Sequence, residues 1–112
     1  MREDSRQIMI VTTAPPEAVA PLLDAIAAAG GGVLGAYTHC AFTHPGTGRF
    51  KPGDQANPYT GTKQQVNAVD EVRIETFCSR QAARAVVAAI RGAHPYEEPV
   101  IYLIPLLVED EL

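Results

Sequence analysis

Nowhere in this sequence does an apolar run approach the roughly 20 residues that a helix needs to span a bilayer. The opening MREDSRQ lacks the basic and then apolar pattern of a secretory signal. Cysteine is scarce as well: only Cys40 and Cys78 are present. That excludes a disulfide scaffold and points to a reducing compartment, with the cytoplasm as the expected location. Basic charge is in deficit, nine Lys and Arg standing against thirteen Asp and Glu for a net charge of −4. A nucleic-acid surface would want a basic patch or stripe, so that class is excluded. Much of the excess acid sits at the ends, in Glu3, Asp4, Glu109, Asp110 and Glu111.

What is present suits a small globular fold. A chain of 112 residues is expected to form one domain, 1–112, with tails at 1–6 and 108–112. It can bury about two thirds of its unfolded surface, so its core needs no metal or disulfide. A hydrophobic content of 46% with 20% charged residues is ordinary for such a protein.

Taken in order, Gln7 to Thr13 is a short β-branched run without alternation, which fits a strand buried on both faces. Pro15, Pro16 and Glu17 mark a helix start. Val19, Leu22, Leu23 and Ile26 then form one apolar stripe. Pro21 is tolerable only within the first turn, where backbone donors are free. Gly30, Gly31 and Gly32 end the helix. Val33 to Phe42 reads as a second strand, followed by a long excursion rich in Gly, Pro, Thr and Asn. Loops of that length are functional or disordered, and the aromatics Phe42, Phe50 and Tyr59 argue against disorder.

Val69 to Cys78 is a third strand with clean alternation, Val72, Ile74 and Thr76 on one face and Glu71, Arg73 and Glu75 on the other. Ser79 is a suitable N-cap for a second helix. In that helix Ala83, Val86, Val87 and Ile90 repeat the apolar spacing, with Arg80, Arg84 and Arg91 opposite. Gly92 and Pro95 stop it. Val100 to Leu107 forms a last, almost wholly apolar strand. The order predicts an α+β, ferredoxin-like βαββαβ sandwich with a long hairpin excursion between strands 2 and 3. Two helices cover only one face of a four-stranded sheet. The apolar first and last strands therefore predict self-association through the open face, as a homotrimer.

Five motifs also carry a family likeness. They are Gly35-x-Tyr37-x-x-Cys40-x-Phe42, the run from Gly46 to Pro52, Asn57-Pro58-x-x-Gly61, Glu71 to Glu75, and His94-Pro-Tyr-Glu-Glu-Pro99. Together, from about Ile8 to Leu107, they resemble the small inserted domain of the Nif-three-like (YqfO-type) dinuclear-metal hexameric family, here as a free-standing chain. The last motif also resembles CutA, the cation-tolerance protein. The joint resemblance implies the PII/CutA type of ferredoxin-like fold, a trimer, and effectors bound between subunits. In that family the metal ligands lie in large flanking lobes that this chain lacks. The dinuclear centre and its hydrolase activity are therefore not carried over.

Each candidate constellation has a bland counterpart. His39, Cys40 and His44 are the His/Cys cluster, but strand alternation turns His39 and Cys40 apart and the spacing fits no zinc pattern. No metal is expected there, and no cofactor anywhere. Cys40 and Cys78 fall in different registers, so both are expected reduced. Tyr37, His39, Glu71, Arg73 and Glu75 are expected on the face away from the helices. They form either an acid/base group or, preferred, an ion-pair lattice in an interface. Gly46-Thr-Gly-Arg-Phe-Lys51 lacks the ending of a Walker loop; it is either a tight turn or a small-anion cradle.

His94-Pro-Tyr-Glu-Glu-Pro follows a helix C-terminus, where the dipole favours a cationic histidine. No catalytic residue is assigned. The expected ligand site is a cleft between subunits, with Gly46, Gly48, Arg49 and Lys51 on one chain and His94, Tyr96, Glu97 and Glu98 on its neighbour. The expected role is a non-enzymatic module that binds a small anionic metabolite or a partner protein. A CutA-like divalent-metal protein is the alternative, and an enzyme using interfacial carboxylates comes last. Neither nucleic acid nor membrane is expected as a partner.

Overall fold

Prolines open the first helix without harming it. In the computed structural model, which describes residues 6–112, strand β1 (Gln7–Ala14) runs into a 3-10 turn (Pro16–Ala18) and then helix α1 (Val19–Ala28). Pro21 is the third residue of α1, in the first turn, where its missing N–H leaves no gap. At the other end Gly30 takes a left-handed φ of 97°. The Gly31 and Gly30 N–H groups donate to the carbonyls of Ile26 and Ala27 at 2.9 and 3.1 Å. This is a Schellman cap, and it needs glycine at the left-handed position.

Strand β2 (Phe42–Phe50) and strand β3 (Asn67–Ser79) form a long hairpin. A 3-10 turn (Arg80–Ala82) leads into helix α2 (Ala83–Ala93), followed by strand β4 (Ile101–Leu106). As expected, Ser79 caps the turn, its hydroxyl accepting the Ala82 N–H at 3.2 Å. All sheet pairings are antiparallel and the spatial order is β2-β3-β1-β4. That is the ferredoxin-like arrangement. Among the described residues no helix is long and apolar enough to cross a membrane.

The register explains the core. Ile8 stands opposite Cys78, Ile10 opposite Thr76 and Thr12 opposite Ile74, so these residues share the face under the helices. Leu22 and Ile26 of α1 and Val86 and Ile90 of α2 close over them, and all four are buried. The intervening residues face the other way. Met9, Val11, Phe77, Tyr102 and Ile104 share that open face with Arg73 and Glu75. Tyr102 and Ile104 there are 59% and 43% exposed.

The second strand departs from expectation. Val33 to Ala41 is not extended, and β2 begins at Phe42, the residue expected to end it. Gly32, Gly35 and His39 all adopt positive φ, 68°, 57° and 59°, which breaks any strand. Leu34 and Tyr37 exchange backbone hydrogen bonds of 2.9 Å around Gly35 and Ala36, closing a tight turn. Gly46 to Phe50 is thus edge strand rather than turn or loop. The excursion proper is the shorter connection 51–66.

Within the expected C-terminal tail, residues 109–111 form a 3-10 turn. The Arg6 guanidinium lies 3.7 Å from Asp110 and 4.0 Å from Glu111. The rest of the expected N-terminal tail, including Glu3 and Asp4, lies outside the described residues.

Candidate functional site

Two connections meet at one end of the sheet, beyond the end of β1. The first is 51–66, held in shape largely by itself. The Gln64 N–H donates to the Pro52 carbonyl at 2.7 Å, the Lys63 ammonium donates to the Asp54 carbonyl at 3.1 Å, and the Asn67 side chain bonds Thr62 in both directions at 2.9 Å. Gly61, at a φ of 100°, lies against the Phe50 ring, where a Cβ would stand 3.0 Å from the ring carbons. The second connection, 94–100, leaves the end of α2 and enters β4.

His94 fixes the start of that second connection. It is buried, and its backbone N–H closes α2 on the Ile90 carbonyl at 2.8 Å. The ring bridges two further groups. Nε2 lies 2.8 Å from the Thr13 carbonyl, which can only accept, and Nδ1 lies 3.1 Å from the Tyr96 N–H, which donates. In these two contacts Nε2 stands as donor and Nδ1 as acceptor. The pairing of both ring nitrogens makes His94 a splint between α2, β1 and the loop.

Tyr96 turns from this splint toward the hairpin. Its ring centroid is 4.8 Å from that of His94 and 6.0 Å from that of Tyr59. Its hydroxyl donates to Glu71 Oε2 at 2.7 Å. Burial first, and then the Glu71 hydrogen bond and charge, push the Tyr96 phenol well above the usual tyrosine range. Gly48 is what lets Glu71 lie there, because a Cβ at that position would fall on the Glu71 carboxylate. The glycine of the supposed anion loop therefore serves a side chain crossing the strand.

One bond stitches the two connections together directly, and another ties the first to the turn before α1. The Asn57 N–H donates to Glu97 Oε1 at 3.0 Å, and the Tyr59 hydroxyl donates to Glu17 Oε2 at 2.8 Å. The Tyr59 phenol is raised by its bond to Glu17 and by that carboxylate's charge. Glu17 is lowered by a backbone hydrogen bond and then by the Tyr59 hydroxyl.

Between the connections lies a cleft of about 370 Å³. Arg49 and Lys51 line it on the hairpin side, and Tyr96, Glu97 and Glu98 on the other. Five of the eight expected site residues thus line one cleft within a single chain. Gly46, Gly48 and His94 do not line the cleft. Gly46 is an exposed residue of β2, and the other two act behind it as described. Tyr59, Pro58 and Glu71 also line the cleft and were not among the expected site residues. The aromatic at Tyr59 and the Asn57-Pro58 pair were visible in the sequence. The partner of Tyr59 in space, Glu17, lies 42 residues away from it, and no local pattern announces it.

The His/Cys cluster takes a different form. His39 is not on the open face beside Glu71 and Arg73. Its Nε2 lies 3.0 Å from Asp24 Oδ1 on α1, and its Nδ1 lies 3.0 Å from the Thr38 hydroxyl. Of the lattice expected on the open face, the described residues show the ion pair of Arg73 Nε with Glu75 Oε2 at 3.0 Å and the Tyr96 hydrogen bond to Glu71. His44 sits on β2 beside the Phe42 ring, with centroids 6.0 Å apart. Among the described residues no three His, Cys, Asp or Glu side chains converge as a metal cage would require. Both cysteines are free thiols. Cys78 is buried, which raises its thiol. Cys40 lies outside the sheet, where its carbonyl accepts the Thr76 hydroxyl at 2.8 Å.

No family model matches the chain. It does match a set of curated proteins, each called a GTP cyclohydrolase 1 type 2 homolog. The Halalkalibacterium halodurans protein is 42% identical over 88 residues, which is 79% of this chain and 24% of that protein. The Mycobacterium leprae protein is 40% identical over 93 residues, 83% of this chain and 24% of its own length. The chain therefore spans about a quarter of the length of the curated relatives it matches. Among solved structures, a Bacillus cereus protein related to NIF3 superposes with a TM-score of 0.78 at 34% identity, over 91% of this chain and 26% of the other. CutA1 from Shewanella sp. SIB1 superposes with a TM-score of 0.67 at 17% identity, over 94% and 85% of the two chains. That second likeness concerns the fold.

Proposed function

Because the chain belongs with the NIF3/YqfO proteins as the counterpart of one segment of them, we propose that it acts as a trimeric, non-enzymatic binding module. Its ligand is small, bears an anionic group, and occupies the cleft between the two connections. One observation carries this reading. Arg49 and Lys51 line a largely apolar cleft, and among the described residues neither makes an ion pair or a side-chain hydrogen bond. A guanidinium offers a planar fork that suits carboxylate or phosphate. Mostly apolar walls with a few polar groups are the usual make-up of a ligand pocket.

The trimer rests on the open face. Phe42, Tyr102 and Ile104 leave apolar surface there that the chain itself does not cover, and such surfaces mark contacts. Static light scattering is expected to return about three times the 12.0 kDa chain mass. A monomer at all concentrations removes the trimer from the proposal.

Calorimetric screening with small carboxylates and nucleotides tests the ligand. Guanine nucleotides belong in that screen, because the relatives are named as homologs of a GTP cyclohydrolase. Arg49→Ala is expected to weaken a hit by about 1–3 kcal/mol, the range for a charged hydrogen bond. A hit indifferent to Arg49→Ala places the ligand elsewhere and leaves the hairpin as an assembly element.

A further inference from the structure

We propose that the ligand of this cleft is dipolar, with a cationic amine at one end and an anionic group at the other, joined by a compact apolar body. The inference rests on the cleft being the binding site, and it follows from how charge is divided between the walls. Arg49 and Lys51 come from the hairpin, while Glu97 and Glu98 come from the connection into β4 and Glu71 from β3. The two cations of the hairpin thus face Glu97 and Glu98 across a single cleft, with Glu71 on the hairpin side. A pure anion drawn to Arg49 would also meet the field of the carboxylates, which repels it.

The carboxylates are not equally available. Glu71 is committed to the Tyr96 hydroxyl, and Glu97 accepts the Asn57 N–H. Glu98 lines the cleft, and among the described residues no partner engages its carboxylate. It is the natural acceptor for an ammonium group, as Arg49 is the natural donor to a carboxylate. Pro52, Pro58 and Val100 line the same cleft and present apolar wall, which suits a short hydrocarbon or ring carrying no hydrogen-bonding groups of its own. The class that meets all three demands is a small amino acid-like zwitterion whose charges are separated by several carbons.

Three probes of one shape test this: 4-(aminomethyl)benzoate, benzoate and benzylamine, each titrated calorimetrically into the full chain. The dipolar probe is expected to bind about tenfold or more tighter than either half. Glu98→Gln should lower its affinity to that of benzoate, and Arg49→Gln to that of benzylamine. Glu98 and Arg49 are both exposed, so these variants keep the fold, and circular dichroism checks that they do. Benzoate that binds as tightly as the dipolar probe, and tighter still to Glu98→Gln, overturns the dipolar ligand while the anion site stands. A nucleotide that binds where none of the three probes does also overturns it. Silence from every probe and every anion sinks the site itself.

Discussion

The two faces of the sheet are made by the same strands and have opposite fates. Under the helices, β1 and β3 contribute Ile8, Ile10, Ile74 and Cys78, all buried within one chain. One residue along, the same strands contribute Met9, Val11, Arg73, Glu75 and Phe77, which no helix covers. Strand alternation makes this division unavoidable, since each face receives every second residue. The first face is a finished core. The second joins apolar residues to a local ion pair, as surfaces that meet a partner do. Stability and association should therefore separate cleanly by face.

The largest test removes a helix-side residue. Ile10 is fully buried, so Ile10→Ala is expected to cost about 2–5 kcal/mol in denaturant unfolding. On the other face, Ile104→Glu should leave the stability of an isolated chain within about 0.5 kcal/mol. It should nevertheless lower the mass of the proposed trimer on light scattering. If Ile104→Glu unfolds the chain as badly as Ile10→Ala, the division between faces is not real.

One place on the open side is tied down by the chain itself, the Glu71–Tyr96 bond, and it carries a pH signature. An unfolded tyrosine gives up its proton near pH 10, whereas folded Tyr96 keeps it to higher pH. Above about pH 10 the unfolded chain therefore binds fewer protons than the folded one, and stability falls as pH rises. Below that point the contribution is fully present. Tyr96→Phe should make the alkaline fall shallower in urea titrations across pH 9 to 11, with Tyr59 accounting for a remainder. An unchanged slope would detach the loop from the open face.

The smallest effect concerns a flaw on the finished side. The Thr12 hydroxyl is buried among the core residues and, among the described residues, has no hydrogen-bond partner. Leaving such a group unpaired costs free energy that an apolar side chain of the same shape avoids. Thr12→Val is expected to raise stability by up to about 1 kcal/mol, read as a higher urea midpoint at unchanged slope. A loss would mean that a water or a partner satisfies the hydroxyl in solution.

These differences track what was legible in the sequence. Val72, Ile74 and Thr76 alternate because one face of β3 is buried, and the pattern was readable for that reason. The helices were marked by their apolar stripes and the Ser79 cap. Strand β2 left no such trace. Along Phe42–Phe50 nearly every residue is exposed, so burial imposed no period on it, and its composition is that of a turn. It is a strand because β3 offers a continuous backbone ladder from Phe42 opposite Glu75 to Phe50 opposite Asn67. Conversely, Val33, Leu34 and Tyr37 look like strand residues yet sit in a loop bent by Gly32 and Gly35.

The candidate site divides in the same way. Its charged residues were visible as two separated motifs, Arg49 with Lys51 and Glu97 with Glu98. That one chain folds both onto the same cleft depends on the length of the 51–66 connection and on the bonds at Asn57 and Tyr59. Those are long-range contacts, which composition does not encode.

Pro45 gives β2 one further property. As the rim of the sheet, this nine-residue strand is the kind of edge along which extended chains add one after another into fibrils. Proline can contribute no amide hydrogen, and in edge strands the missing donor is turned outward. A foreign strand laid along β2 would find its ladder interrupted midway, at the point where Pro45 stands opposite Val72. The rim is thereby made a poor template for growth, and Pro45→Thr should speed the seeding of thioflavin-positive aggregates on storage relative to the parent chain.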